Sequence, residues 1–184
     1  MSKVNMFFAT GYEEVEALTV VDLLRREGIE INMVSVTGEK EVTGSHGITV
    51  KMDKLFEEMD DSADMLILPG GMPGTLNLKA HEGLVSLLKD YDKKGKYLAA
   101  ICAAPTVFGE LGMLNGRHAT CYPGMEEGLV GATALEDNVV RDDHFITSRG
   151  LGTAIDFALA IIEVLKDDVT ANQLASKIVY TVDM

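Results

Sequence analysis

Short apolar runs alternate with longer amphipathic segments along most of the chain. The apolar runs are aliphatic or β-branched and predict β-strands. These predicted strands are residues 4–9 (VNMFFA), 29–36 (IEINMVSV), 64–71 (DMLILPGG), 96–101 (KYLAAI), 117–121 (RHATC) and a strand pair within 138–148 (NVVRDDHFITS) with Arg-Asp-Asp at its turn. Residues 41–50 (EVTGSHGITV) predict a further hairpin that turns at Gly44–Gly47.

The longer segments have apolar positions at helical spacing. The predicted helices are residues 13–28, with Gly28 as the C-terminal stop, 54–61, 82–95, a segment that begins at Pro105, 153–166 and 170–180. Alternation of strands with helices favours a mostly parallel sheet with helices on both faces, so we expect an α/β fold, a three-layer sandwich. A chain of 184 residues without a linker or a repeat predicts one domain over residues 1–184.

Four motifs with chemical potential directly follow predicted strands. They are GYEEVE (11–16), PGGMPG (69–74), CAAP (102–105) and SRGLGT (148–153). Ligands of open parallel sheets bind beyond the carboxyl ends of the strands. We therefore expect these motifs to line one crevice if the strands that precede them are neighbours.

Cys102 lies at the junction between a predicted strand and a predicted helix. Small neighbours such as Ala103 and Ala104 suit a sharp turn that holds the thiol toward the crevice, and Pro105 suits the first helical turn. The partial positive charge at a helix N-terminus favours the thiolate, so this placement predicts a reactive cysteine with a pKa below that of free cysteine. The alternative is a small hydrophobic residue that ends a buried strand, which is also our interpretation of Cys121.

The glycine-rich and acidic motifs offer partners for the thiol. The backbone N–H groups of Gly71 and Ala103 can form an oxyanion-binding pair, although a Gly-Gly sequence is also typical of a plain tight turn. Glu13, Glu14 and Glu16 stabilise a helix N-terminus, and one of them can also be catalytic if the crevice raises its pKa. The remaining candidates, the four histidines, do not fall at a predicted strand end, and we expect each to be solvated or locally satisfied.

Composition excludes several classes of protein. The 16 basic and 29 acidic residues give a net charge of −13, the wrong sign for binding nucleic acid or an anionic membrane. The N-terminus has no signal-peptide pattern and no apolar stretch is long enough to span a membrane, so we expect a cytoplasmic protein. Two cysteines provide neither a disulfide framework nor paired metal-ligand spacing, so we expect no metal site.

Four motifs in register carry a resemblance to a known family. GYEEVE, PGGMPGTLNL, AAICAAPTVF and ITSRGLGT resemble the DJ-one/ThiJ/PfpI superfamily, in its YajL-like branch, over nearly the whole chain. The resemblance implies a flavodoxin-like sheet of the class I glutamine amidotransferase type, with a nucleophile elbow. It implies that Cys102 is the oxidation-sensitive nucleophile and that Glu16 is its protonated carboxyl partner. It also implies that Gly71 and Ala103 are the oxyanion-type backbone donors and that Gly70 shapes the turn. Arg149 then belongs to a loop that borders the site. Tyr122 stands where a branch member has a histidine.

The resemblance implies a cofactor-free glyoxalase or deglycase that protects against stress. Its nucleophilic cysteine attacks methylglyoxal, glyoxal or early glycation adducts of proteins, so its partners are small reactive aldehydes or glycated protein. A peroxide-sensing, redox-regulated chaperone that acts through oxidation of Cys102 is the alternative. An intracellular protease or amidase is less favoured, because Ala103 replaces the histidine that follows the cysteine in protease-like relatives.

The first predicted helix also predicts self-association. Of the residues from Ala17 to Leu24 only Thr19 and Asp22 are polar, so one face of a sheet cannot bury all of the apolar side chains. Either a later helix of the same chain or a second copy covers the remainder. We expect a homodimer through this helix, which the family resemblance also implies.

Overall fold

A central seven-stranded sheet organises the fold in the computed structural model, which describes residues 2–181. The strands within these residues are β1 (Lys3–Phe8), β2 (Glu30–Ser35), β3 (Glu41–Thr43), β4 (Thr49–Lys51), β5 (Lys54–Leu55), β6 (Met65–Leu68), β7 (Tyr97–Ile101), β8 (His118–Ala119), β9 (Thr133–Ala134), β10 (Val139–Asp142) and β11 (Phe145–Ser148). The helices are α1 (Glu14–Arg26), α2 (Gly74–Ala80), α3 (Glu82–Lys93), α4 (Pro105–Glu110), α5 (Ala154–Leu165) and α6 (Asp168–Lys177).

The sheet has the strand order β10-β11-β7-β6-β1-β2-β5. All neighbouring pairs are parallel except β10 with β11. β3 with β4 and β8 with β9 form separate two-stranded sheets. The predicted mostly parallel α/β sheet is therefore confirmed.

A hydrophobic core lies on each face of the sheet. One core packs α1 and α5 against the strands, with α6 packed on α5, and the other core packs α2, α3 and α4 against the opposite face. β6 is buried along its whole length, as expected for a central parallel strand covered on both sides. This arrangement confirms the predicted three layers.

The first helix ends where the sequence predicts. Gly28 has φ +68°, a left-handed conformation that glycine adopts without steric cost. Its N–H donates to Arg25 O (3.0 Å) and the N–H of Ile29 donates to Leu24 O (3.0 Å). This pair of bonds closes the last turn of α1 and redirects the chain into β2.

The predicted helix over residues 54–61 is wrong. The segment instead forms β5 and then a 3₁₀ turn at Phe56–Glu58. The Glu58 carboxylate accepts a hydrogen bond from the N–H of Leu55 (2.9 Å), and the Phe56 ring packs on the ring of His81 at a centroid distance of 4.6 Å. Edge pairing with β2 and these contacts outweigh the weak helical pattern of the segment.

Other differences concern short elements and turns. The sequence did not predict α2 or β9, and the strand predicted over residues 117–121 contains only β8, which lies outside the main sheet. The β10–β11 hairpin turns at residues 143–144, because Arg141 and Asp142 belong to β10. The hairpin predicted over residues 41–50 is confirmed as β3 and β4.

The four motif-bearing strands are neighbours. The order β11-β7-β6-β1 within the sheet brings the ends of these four parallel strands to one edge. The loops that follow them carry the four motifs of the sequence analysis. Among residues 2–181, none of the helices has both the length and the apolar character needed to cross a membrane.

Candidate active site

Cys102 occupies a strained turn between β7 and α4. It has φ +66°, which is uncommon for a residue with a side chain and costs on the order of 1–2 kcal/mol. Its N–H donates to Ser148 O (3.0 Å), which ties the turn to the end of β11. Ala103 and Ala104 are buried beside it and leave space for the sharp bend. The predicted elbow is therefore present, and strain of this kind clusters at functional sites.

Glu16 meets the thiol from the first helix. It lies in the first turn of α1, is 1% exposed, and forms a side-chain hydrogen bond with Cys102. The N–H of Gly70 donates to Glu16 Oε2 (3.1 Å). A Cβ atom at position 70 would lie 2.5 Å from Cys102 Cβ and 2.6 Å from Glu16 Oε2, so the close approach requires glycine. The structure thus brings together Cys102, Glu16 and Gly70.

Two backbone amides act on the thiol. Hydrogen bonding from the N–H groups of Gly71 and Ala103 lowers the pKa of Cys102. Gly71 has φ +91°, and a Cβ atom there would lie 2.4 Å from Glu13 N. The pair of backbone donors that the sequence suggested therefore converges on the thiol, with glycine required at one of the two positions.

Burial dominates the protonation of this pair. Burial raises the pKa of Glu16 to about 7, and the charge of Glu13 raises it further. The hydrogen bonds from Cys102 and Gly70 lower this pKa and only partly offset the increase. Burial also raises the pKa of Cys102 to about 12, assisted by the charge and the hydrogen bond of Glu16, although the Gly71 and Ala103 amides lower it. Near neutral pH the proton resides on sulfur, and a partly ionised carboxyl group lies beside it.

The expected depression of the Cys102 pKa is therefore wrong. The expectation relied on the N-terminus of the helix that follows the thiol. That helix, α4, has only 6 residues, and the favourable amides are outweighed by burial and by the facing Glu16 carboxylate. At neutral pH the site therefore holds a protonated thiol beside the Glu16 carboxyl group, and not a preformed thiolate.

The other two acids of the first motif have structural contacts. Glu14 is 2% exposed and accepts hydrogen bonds from the N–H groups of His46 (2.8 Å) and Ile48 (3.3 Å). Burial raises the pKa of Glu14, but the hydrogen bonds outweigh it and the net pKa is lowered. Glu13 caps α1 by accepting from Val15 N (3.4 Å). The ligand atoms of Glu13, Glu14 and His46 lie within 4.8 Å of one another, a donor set that could hold a cation.

The structure places Tyr122 at the mouth of the site and Arg149 farther away. The Tyr122 N–H donates to Cys102 O (2.7 Å), and its side chain is 51% exposed. Arg149 donates to Glu136 O (3.2 Å) and lines a neighbouring cleft with Tyr122. Arg149 is not among the residues that line the cavity at the thiol.

A cavity of about 200 Å³ opens over the thiol, and we call it the inner cavity. Its lining consists of Gly71, Met72, Cys102, Ala103, Tyr122 and Met125. Sequence analysis missed the two methionines, because methionine is a common core filler and nothing in its spacing marks it as a cavity residue. A larger cleft of about 560 Å³ lies between β10, α5 and α6, and no cysteine, serine or histidine lines it.

The histidines lie outside this cavity and have local partners. His81 caps α3 by accepting from Leu84 N (3.0 Å). His118 lies 3.0 Å from Asp142 Oδ2, and His144 Nε2 lies 2.8 Å from an oxygen of Asp92. The expectation that the histidines are locally satisfied is confirmed for these residues and for His46.

Comparison with known proteins connects this site to a family. Residues 2–164 match the DJ-1/PfpI family. Protein DJ-1 homolog B of Arabidopsis thaliana is 41% identical over 166 residues, which cover 89% of this chain and 38% of that protein. The chain thus spans about two fifths of that relative's length.

Two further proteins are similar over nearly their whole length. A deglycase of Pyrococcus abyssi is 32% identical over 167 residues, which cover 89% of this chain and 99% of that protein. The structure of oxidized Toxoplasma gondii DJ-1 superposes with a TM-score of 0.95 at 35% identity and covers 99% of this chain and 100% of that one. Because the family match spans all four motifs that meet at Cys102, the chain belongs to the DJ-1/PfpI family.

Proposed function

We propose that the protein is a cysteine-dependent, cofactor-free glyoxalase or deglycase that acts on methylglyoxal, glyoxal or early glycation adducts of proteins. The observation that carries this proposal is the hydrogen-bonded pair of Cys102 and Glu16 beneath a small cavity. A thiol and a base in contact are the minimum for attack on an electrophilic carbonyl carbon. Two backbone donors at the same point supply stabilisation for negative charge.

The first step joins the substrate to sulfur. Cys102 Sγ attacks the aldehyde carbon while the Glu16 carboxylate accepts the thiol proton, so the S–H bond breaks as the S–C bond forms. The carbonyl oxygen becomes an alkoxide, which the Gly71 and Ala103 amides can stabilise. The alkoxide then takes the proton from Glu16, which gives a hemithioacetal and regenerates the carboxylate. A base with a pKa of about 7 is well matched to this transfer at neutral pH.

The second step moves a proton between the two substrate carbons. Glu16 removes the proton from the carbon bonded to sulfur and returns it to the neighbouring carbonyl carbon. The hydroxyl proton on the first carbon passes to the neighbouring carbonyl oxygen in the same step, which converts the hemithioacetal into a thioester of the hydroxy acid. Water then cleaves the thioester and regenerates the thiol. The sum is aldehyde plus water to lactate from methylglyoxal, or to glycolate from glyoxal.

The deglycase form of the proposal uses the same residues. In a hemiaminal adduct of a lysine or arginine side chain, or a hemithioacetal adduct of a cysteine, Cys102 Sγ attacks the carbon that carries the protein nitrogen or sulfur. The bond to that heteroatom breaks as the new S–C bond forms, and Glu16 passes the proton taken from the thiol to the departing group. The name of the Pyrococcus abyssi relative, a deglycase at 32% identity, supports this extension.

Lactate formation tests the proposal. The purified protein with methylglyoxal should form lactate faster than an equal concentration of free thiol. Cys102→Ala should abolish this rate, whereas the matched control Cys121→Ala, at a buried cysteine outside the cavity, should keep most of it. Lactate at the free-thiol rate from the folded wild-type protein would refute the proposal.

A redox sensor is the second candidate, supported by the oxidized form in which the Toxoplasma gondii relative was solved. In this function hydrogen peroxide oxidises the Cys102 thiol to sulfenic acid with release of water, and a second peroxide gives sulfinic acid. The raised pKa of Cys102 slows such oxidation, because the thiolate is the reactive species. Rapid sulfinate formation at two equivalents of peroxide per Cys102, measured by intact mass, in a protein that forms no lactate would favour the sensor.

A further inference from the structure

The inner cavity over Cys102 has a neighbour of about 300 Å³, which we call the outer cavity. Met72 and Met125 line both cavities, so these two side chains form part of the wall that the two spaces share. Methionine is unbranched and has three rotatable bonds, so this partition can yield to a ligand.

Three large exposed apolar side chains line the two cavities. Met72 is 45% exposed, Leu76 is 51% exposed and Tyr122 is 51% exposed. Leu76 lines the outer cavity and Tyr122 lines the inner one. Large exposed apolar side chains beside a cavity favour a ligand that covers them.

The wall that carries Leu76 is fixed relative to the reactive centre. Leu76 lies on α2, where Thr75 N and Thr75 Oγ1 both donate to Gly71 O at 2.9 Å. Asn77 Nδ2 also donates to Thr10 O (2.9 Å). The ion pair of Lys79 and Glu110, which links α2 to α4, also lines the outer cavity. The lining of the outer cavity therefore combines apolar side chains, including Met72, Leu76 and Met125, with polar groups.

We propose that the two cavities form one substrate cleft, in which the inner cavity holds the reacting aldehyde and the outer cavity holds an apolar substituent on the adjacent carbonyl carbon. The preferred substrates are then α-oxoaldehydes with a chain longer than the methyl group of methylglyoxal. This inference rests on the proposed function. Together the cavities reach the size range of ordinary ligand pockets, about 300–1,000 Å³, most of which a three-carbon aldehyde would leave empty.

The ratio of kcat/KM for 2-oxooctanal to kcat/KM for methylglyoxal measures this preference. The wild-type protein should favour 2-oxooctanal by at least about 10-fold, because each buried methylene contributes severalfold. Leu76→Asp should reduce the ratio by about 10-fold. Val169→Asp, a matched control at a 58% exposed valine on α6, should leave the ratio unchanged. An equal ratio in the wild type and Leu76→Asp would overturn the shared cleft.

Alkylation of Cys102 separates this inference from the proposed function, since it requires no turnover. In a Cys121→Ala background, N-hexylmaleimide should react faster than N-methylmaleimide, and Leu76→Asp should lower that rate ratio while Val169→Asp should not. If no aldehyde is turned over, the proposed function fails. The ratio of the two maleimide rates, and its change in Leu76→Asp, then shows by itself whether the two cavities form one cleft. If aldehydes are turned over but Leu76→Asp changes neither ratio, the cleft fails alone.

Discussion

At the scale of single residues, physical argument from the sequence did not show which of the three acids of the first motif is the partner of the thiol. Glu13, Glu14 and Glu16 all belong to the start of α1, and only their directions in space distinguish them. Glu13 caps the helix, Glu14 binds the loop of the β3–β4 hairpin, and Glu16 reaches the thiol. The family resemblance selected Glu16, and the geometry brings that residue to Cys102. The Cys102 pKa was mispredicted because burial depends on packing around the turn, which local sequence does not encode.

Gly70→Ala tests how closely the pair must approach. The added methyl group would lie 2.5 Å from Cys102 Cβ and 2.6 Å from Glu16 Oε2 and would force the two side chains apart. We expect a loss of about 100-fold in kcat/KM, as for a misplacement of about 1 Å, and a stability loss of about 1–3 kcal/mol. Gly152→Ala is the control, because a Cβ atom there meets nothing within 4 Å. Lactate assays and urea unfolding measure both effects, and equal behaviour of the two variants would contradict the steric argument.

At the scale of elements, the sequence predicted the long strands and helices and failed on the short ones. Strongly apolar strands such as β6 and β7 are buried on both faces, so their sequence carries an unambiguous pattern. The segment at residues 54–61 has too few apolar positions to specify a helix, and α2 directly follows a glycine-rich loop that masks its start. The motif order nevertheless located the site, because four adjacent parallel strands deliver their loops to one edge.

At the scale of the whole molecule, the chain itself covers most of the first helix. Val20 and Leu24 are 0% exposed, and α5 packs against α1. Most of the apolar side chains of α1 are therefore buried within one chain. Substitutions at these two positions would disturb the core and cannot report on association. The apolar surface that remains on α1 is Val15, which is 48% exposed, together with the partly buried Leu18.

We propose that a second copy covers this remaining surface through a two-fold contact of α1. The wild-type protein at micromolar concentration should then scatter light with about twice its chain mass of 19.9 kDa. Val15→Asp and Leu18→Asp should shift the mass toward the monomer, because each would place a charge in the apolar contact. Val169→Asp, at an exposed valine on another helix, should keep the dimer. A wild-type mass near 19.9 kDa would contradict the proposal.

The central claim is that Glu16 acts as the base for the Cys102 thiol. The pH dependence of kcat/KM for methylglyoxal tests it most directly, because this profile reports the ionisation of the free enzyme. Since Glu16 must be ionised to accept the proton, the wild-type rate should rise with pH and level off above its pKa of about 7. Glu16→Gln should lower kcat/KM by about 10²–10⁴-fold and remove this inflection. An unchanged inflection near pH 7 in folded Glu16→Gln, or an unchanged rate, would contradict the account.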